Sequence, residues 1–179
     1  TAPVILQKTV PRPPVFSSDV SVDEETGWHV ITLSITYPDD PRKNISAKVT
    51  PEGGSTLFSL QVGGIEFLER PDSLKNVIKG GCGIPIMFPT PNRVRDQRYI
   101  FNGKWYTMLI PGEEGKRRLH GIVKDDTTSW EFEEPSLVKD GVRVRTWYPI
   151  DSDNPRFQAF PFTSTLLVEF KVTEDKLVI

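Results

Sequence analysis

Two side chains in this sequence are suited to gripping a polyhydroxylated small molecule: Arg93, in Pro91-Asn92-Arg93-Val94, and His120, in Leu119-His120-Gly121. A guanidinium is permanently charged and presents a planar fork of donors that can bridge neighbouring hydroxyls. The same fork can also tie its own loop down through backbone carbonyls, and residue type alone leaves both uses open. An unperturbed imidazole titrates near neutrality, so His120 can move a proton, hydrogen-bond a ligand, or be a structural histidine satisfied by its neighbours. Gly121 would let a ligand approach the backbone closely. Asn92 is a candidate binding amide and equally a turn residue, because asparagine tolerates left-handed geometry.

Other reactive side chains have plainer readings. His29 opens an apolar alternation and reads as a histidine packed at a core edge. With His120 it matches no metal-ligand spacing, so no metal is expected. Cys82 has neither a histidine nor an acid close by and reads as a small buried residue. Gly80-Gly81-Cys82-Gly83 lacks the following Lys-Ser/Thr and the helix that a phosphate cradle needs. Phe88, Trp105, Tyr106, Trp130 and Trp147 could offer flat faces to a ring's C–H groups, but aromatic residues also build cores. Trp130, which follows the His120 loop, and Phe88, in a long loop, are the ones to watch.

The elements that must position these groups are strands. From His29 to Tyr37 the odd positions read His, Ile, Leu, Ile, Tyr and the even ones Val, Thr, Ser, Thr, a period of two. Phe58, Leu60 and Val62 are expected to share a face. So are Val142, Val144, Thr146 and Tyr148, opposite Arg143, Arg145 and Trp147, and likewise Leu166, Val168, Phe170 and Val172. Asn102-Gly103 and Asp140-Gly141 each suit a type I′ hairpin, and residues 173–176 read as a further turn. No amphipathic helix or repeat emerges. The expected fold is all-β, with roughly ten antiparallel strands in a layered sandwich. Residues 71–97 break the alternation with glycine and proline clusters. Long connections of this kind in compact β domains often carry function.

Composition narrows the classes. A chain of 179 residues fits one domain. Its net charge of −2 lacks the basic stripe of a nucleic-acid binder, and Lys116-Arg117-Arg118 reads as a solvated face. No window is long and apolar enough for a membrane span. A lone cysteine and the absence of a signal-peptide pattern point to a cytoplasmic, reducing setting. Proline-rich residues 1–20 read as an extended N-terminal arm, and residues 21–179 as part of a single domain. Leu177-Val178-Ile179 reads as a new strand cut short.

In order and in spacing, several of these pieces resemble the aldose 1-epimerase (galactose mutarotase) family. They are residues 80–89 (Gly-Gly-Cys-Gly-Ile-Pro-Ile-Met-Phe-Pro), Asn92-Arg93, Asp96, residues 99–106, Leu119-His120-Gly121 and Trp130. The resemblance covers about residues 55–179 and rests on the ordered set, since no tripeptide within it is specific. It implies an antiparallel β-supersandwich, here in an N-terminal, truncated form, with an open cleft for a free hexose. It also implies Arg93 as the sugar-binding arginine, His120 as the first of two active-site histidines, and Asp96 as a structural acid. Family members usually carry glycine after that acid. Gln97 departs from this and is expected to change the turn.

The implied reaction interconverts α and β anomers of a hexose such as galactose or glucose, without cofactor or metal. A base takes the proton of the C1 hydroxyl, an acid protonates the ring oxygen, the ring opens, and it recloses on the other face. Arg93 can orient substrate but cannot shuttle a proton. The acid and base are expected beyond residue 179, so the chain alone is expected to be inactive. The expected partners are a sugar, and a C-terminal half or a second copy across an exposed sheet edge. The alternative is a non-catalytic carbohydrate-binding or sugar-sensing module of the same fold.

Overall fold

The computed structural model describes residues 10–116 and 118–179. Strand alternation is realised as two antiparallel sheets facing each other. In one, β1 (Val15–Val22), β2 (His29–Thr36), β3 (Ile45–Thr50), β4 (Thr56–Val62) and β5 (Ile65–Glu66) follow in sequence order. In the other, β10 (Gly141–Ile150) pairs along its length with β11 (Ser164–Thr173). β12 (Leu177–Val178) flanks β11, and β8 (Glu131–Phe132) and β9 (Ser136–Val138) flank β10. β6 (Arg98–Phe101) and β7 (Lys104–Thr107) form a separate hairpin. No helix among the described residues is long and apolar enough to cross a membrane.

The expected arm falls partly on residues 1–9, which lie outside the described residues. Residues 15–20 of it are strand, paired to β2 in continuous register. β2 packs on β10 and β11 across the sandwich. Ile31, Leu33 and Ile35 from one side meet Val142, Val144, Tyr148, Phe170 and Val172 from the other, all fully buried. These are the faces that the period of two selects. A single fully buried side chain of this size contributes about 1.5–3 kcal/mol.

β4 departs from its expected face. Ladder partners run Lys48↔Ser59 and then Val49↔Leu57, so Phe58 is the extra residue of a β-bulge. The bulge turns Leu57 into the main core and sends Phe58 the other way. There Phe58 joins Leu74, Val77 and Cys82 in a second, smaller cluster under the 3₁₀ segment Leu74–Lys79. Asn102-Gly103 forms the expected hairpin turn, both residues having positive φ (48° and 74°). Asp140-Gly141 does not. Gly141 already pairs with Val138 and Thr173, leaving Lys139-Asp140 as the loop. A Cβ on Gly141 would lie 2.2 Å from the Val172 carbonyl oxygen, so close backbone approach selects glycine there. The turn expected over residues 173–176 closes with the Thr173 amide donating to the Lys176 carbonyl (2.9 Å).

Candidate functional site

Two backbone ties, among others, pin the long connection between β5 and β6. Ile84 exchanges backbone hydrogen bonds with Leu57 (2.8 and 3.3 Å). Phe88 bridges to Gly121, and the Ile122 amide donates to the Phe88 carbonyl at 2.7 Å. The two chains approach so closely that a Cβ on Gly121, at φ +77°, would sit 1.9 Å from the Phe88 oxygen. Gly121 is therefore filled by protein backbone and is not the open approach for a ligand that the sequence suggested.

That bridge delivers His120 to the loop carrying Arg93. His120 Nδ1 lies 2.7 Å from the Pro91 carbonyl oxygen. A carbonyl only accepts, so Nδ1 holds the proton and the neutral ring keeps its lone pair on Nε2. Nε2 has no hydrogen bond among the described residues. Two residues on, Arg93 is exposed, and its guanidinium makes neither hydrogen bond nor ion pair among the described residues. The loop is tied down without it: Asn92 Oδ1 accepts from the Arg93 amide (2.8 Å), and the Asn92 carbonyl accepts from the Thr90 hydroxyl (3.1 Å). Asn92 thus shapes the turn, while the fork of Arg93 stays available.

Beside this loop lies an open cleft of about 660 Å³ lined by Arg93, Val94, Arg95, Asp96, Gln97 and Arg118. Sites for small ligands fall in this size range. Its floor is conformationally unusual, since Asp96 and Gln97 both have φ 52° without being glycine. Gln97 is held by many partners. Its amide donates to the Val94 carbonyl (3.0 Å), its carbonyl accepts from the Met108 amide (2.8 Å), and its Oε1 accepts from the Arg118 amide (3.2 Å). The turn that glycine would favour is therefore present, and the glutamine side chain adds a tie to the His120 segment.

A buried polar network supports the segment carrying His120. Arg118, its side chain only 6% exposed, pairs with Glu113 and with Asp125 (2.8 Å), and its Nε lacks an acceptor among the described residues. Arg156 also grips Asp125 (2.5 Å) and donates to the Ile122 carbonyl (2.6 Å). Asp126, 3% exposed, accepts from the Tyr148 hydroxyl (2.6 Å), the Ser129 hydroxyl (2.8 Å) and the Thr128 amide (2.9 Å). Burial pushes the Asp126 carboxyl up, but these donors and the Arg156 charge outweigh it and leave it below the usual carboxylate range. At Asp125 burial again opposes, and the Arg156 and Arg118 guanidiniums bring the carboxyl down. Tyr148 moves the other way, raised by burial first and then by Asp126. Removing one partner from such a network costs about 3–5 kcal/mol, because it strands a buried charge.

The sequence singled out part of this arrangement. It placed Arg93 and His120 on loops that the structure joins through Pro91. His120 stands beside the cleft rather than among the residues of its wall. Trp130 is not a sugar platform: it is 6% exposed, edge-on to Tyr148, and its indole donates to the Val123 carbonyl (3.0 Å). Phe88 packs edge-on against Phe160. Tyr106 stacks on Tyr99, and the Trp147 indole donates to Glu131 (2.9 Å). Trp105 is 62% exposed, with the Arg98 guanidinium 5.6 Å from its ring centre. His29 sits half-buried, with Nδ1 2.5 Å from Glu52 and its ring against Phe132. Cys82 is buried, which pushes its thiol up and away from nucleophilic use.

The sequence reading missed the network. The sequence puts Arg118 in a solvated run, singles out none of Asp125, Asp126 and Arg156, and marks Tyr148 only as a core-face residue. The one local signal was Asp126-Thr127-Thr128-Ser129, a pattern in which an aspartate caps the amides that follow it. Among the described residues no three His, Cys, Asp or Glu side chains gather into a metal site.

Comparison with known proteins bears on this geometry. The family model described as aldose 1-epimerase matches residues 39–179. A galactose mutarotase-like protein from Clostridium acetobutylicum superposes with a TM-score of 0.72 at 18% identity, over 90% of this chain and 47% of that one. A galactose 1-epimerase from Lactobacillus acidophilus NCFM gives 0.59 at 18% identity, over 91% and 45%. A protein from Synechocystis sp. PCC 6803 gives 0.58 at 18% identity, over 96% and 48%. The chain spans less than half the length of these solved structures. At this identity they establish the shared antiparallel β-sandwich fold.

Proposed function

The chain belongs to the aldose 1-epimerase family, and on that premise we propose that the protein interconverts the α and β anomers of a free hexose such as galactose or glucose. The observation that carries this reading is the hydrogen bond from His120 Nδ1 to Pro91. It ties the imidazole to the loop that carries Arg93, a residue of the cleft wall. In this reading Arg93 bridges two sugar hydroxyls and sets the ring's orientation. His120, with Nδ1 committed, offers Nε2 as acceptor to a sugar hydroxyl, or as donor once protonated. Asn92 supports both by holding the Arg93 loop, so its part in binding is indirect.

Mutarotation needs two proton-transfer groups on either side of C1 and the ring oxygen. Beside the cleft, His120 is a side chain of a type that can both give and take a proton, and Arg93 is excluded from that work by its permanent charge. In this reading the chain's share of the reaction is binding, orientation and the proton-transfer capacity of His120. A second reading, sugar binding without turnover, draws on the same point.

Polarimetry with freshly dissolved α-galactose and α-glucose separates the two. Accelerated mutarotation that Arg93→Ala and His120→Phe each reduce supports the enzyme. Calorimetric binding of galactose without acceleration supports the binding module. Neither binding nor acceleration defeats both.

A further inference from the structure

We propose that the sugar taken by this cleft carries an anionic group, phosphate or carboxylate, held by Arg95 while Arg93 grips the hydroxyls. This names the substrate class of the preceding proposal and rests on it. The argument is one of unbalanced charge. The protein has 22 Lys and Arg against 24 Asp and Glu, so its average surface is slightly acidic. The cleft wall runs against that average, with Arg93, Arg95 and Arg118 facing a single acid, Asp96.

Arg118 is already balanced by Glu113 and Asp125, and it belongs to the frame. Asp96 lies 3.9 Å from Arg98, outside the wall, and its charge is shared there. Arg93 and Arg95 remain. Both are exposed, and neither side chain has a hydrogen bond or ion pair among the described residues. They stand two positions apart on a loop whose far end is clamped by the hydrogen bonds of Gln97 with Val94, Thr107, Met108 and Arg118.

A neutral hexose needs one such fork to bridge vicinal hydroxyls, and it gives a second guanidinium no charge to answer. An anionic group on the same sugar does. Guanidinium–carboxylate and guanidinium–phosphate bonds are charge-assisted, often two-pronged, and about twice as strong as neutral ones. A recess lined by one sign of charge also raises the local concentration of an oppositely charged ligand. Anionic and neutral sugars should therefore differ in affinity here, and the difference should shrink as salt screens the exposed guanidiniums.

The test is titration calorimetry of the protein and of Arg95→Gln with galactose, galactose 6-phosphate and galacturonate, at about 50 and 300 mM salt. The expected result is that at least one anionic sugar binds about tenfold tighter than galactose at low salt and loses most of that margin at high salt. The arm with the larger margin identifies the group. Arg95→Gln should lose about tenfold for the anionic sugar and clearly less for galactose. Galactose binding as tightly as both anionic sugars overturns the inference and leaves sugar binding standing. An equal loss for all three in Arg95→Gln also overturns it. If none of the three sugars binds, the underlying reading falls as well.

Discussion

Replacing Gly121 with alanine tests the joint on which the site depends. The new Cβ would start 1.9 Å from the Phe88 carbonyl oxygen, at a φ of +77°. The left-handed backbone alone costs about 1–2 kcal/mol for a residue with a Cβ. Relieving the overlap requires moving a carbonyl that accepts the Ile122 amide at 2.7 Å, and losing that bond costs about 1 kcal/mol more. The expected destabilisation is therefore about 2–4 kcal/mol. Gly103→Ala is the matched control, since Gly103 has φ +74° with nothing within 4 Å of a built Cβ and should show the backbone cost alone. Urea unfolding followed by tryptophan fluorescence reads the difference. With a slope of about 2 kcal/mol per molar, Gly121→Ala should lower the midpoint by roughly 1–2 M. Because the same joint holds His120 to Pro91, sugar affinity should fall even where the variant remains folded. A Gly121→Ala midpoint indistinguishable from that of Gly103→Ala would refute the close approach and, with it, the account of how the two loops are joined.

Arg93→Ala should weaken galactose binding by about 1.5–3 kcal/mol through lost charged hydrogen bonds, with little change in unfolding midpoint, as calorimetry and urea titration would read in parallel. His120→Phe should lower any mutarotation rate by about 10²–10⁴-fold in polarimetry, and a rate within threefold of the parent would remove His120 from proton transfer. Asp126→Asn should cost about 2–4 kcal/mol, because an amide cannot accept the donors now converging on both oxygens and leaves Arg156 less balanced. Its pH dependence has a definite sign. The folded Asp126 carboxyl lies below the ordinary value of about 3.9, so its stabilising contribution is complete above that pH and disappears as pH falls through the folded value. Acid unfolding of Asp126→Asn should accordingly be shallower below about pH 4 than that of the parent. Trp105→Ala should change stability by less than about 0.5 kcal/mol, since the ring is exposed, and a larger shift in thermal unfolding would contradict the hairpin's placement.

What could be read from residues alone follows the range of the forces involved. β2, β10 and β11 were legible because one sheet face is buried along most of their length, so a period of two records burial directly. β4 was not, because one extra residue at Phe58 shifts the alternation mid-strand and a second cluster buries the other face. Arg93 and His120 could be singled out by chemistry and by family resemblance, since each sits in a distinctive short stretch. Arg118 could not. Its burial comes from Glu113, Asp125 and the nearby Arg156, and a run of three basic residues looks solvated until those partners are in place. Trp130 misled for a related reason: nearness in sequence to His120 says nothing about which way a side chain turns, and this one turns into the sandwich.

The bulge at Phe58 divides the interior into two apolar compartments of unequal size, and the chain's one thiol sits in the lesser of them, capped by residues 74–79. Cys82 is thus a built-in reporter. A disulfide reagent in native buffer can modify it only when that small compartment opens. The labelling rate consequently follows breathing of this cap separately from melting of the main sandwich, without any introduced probe.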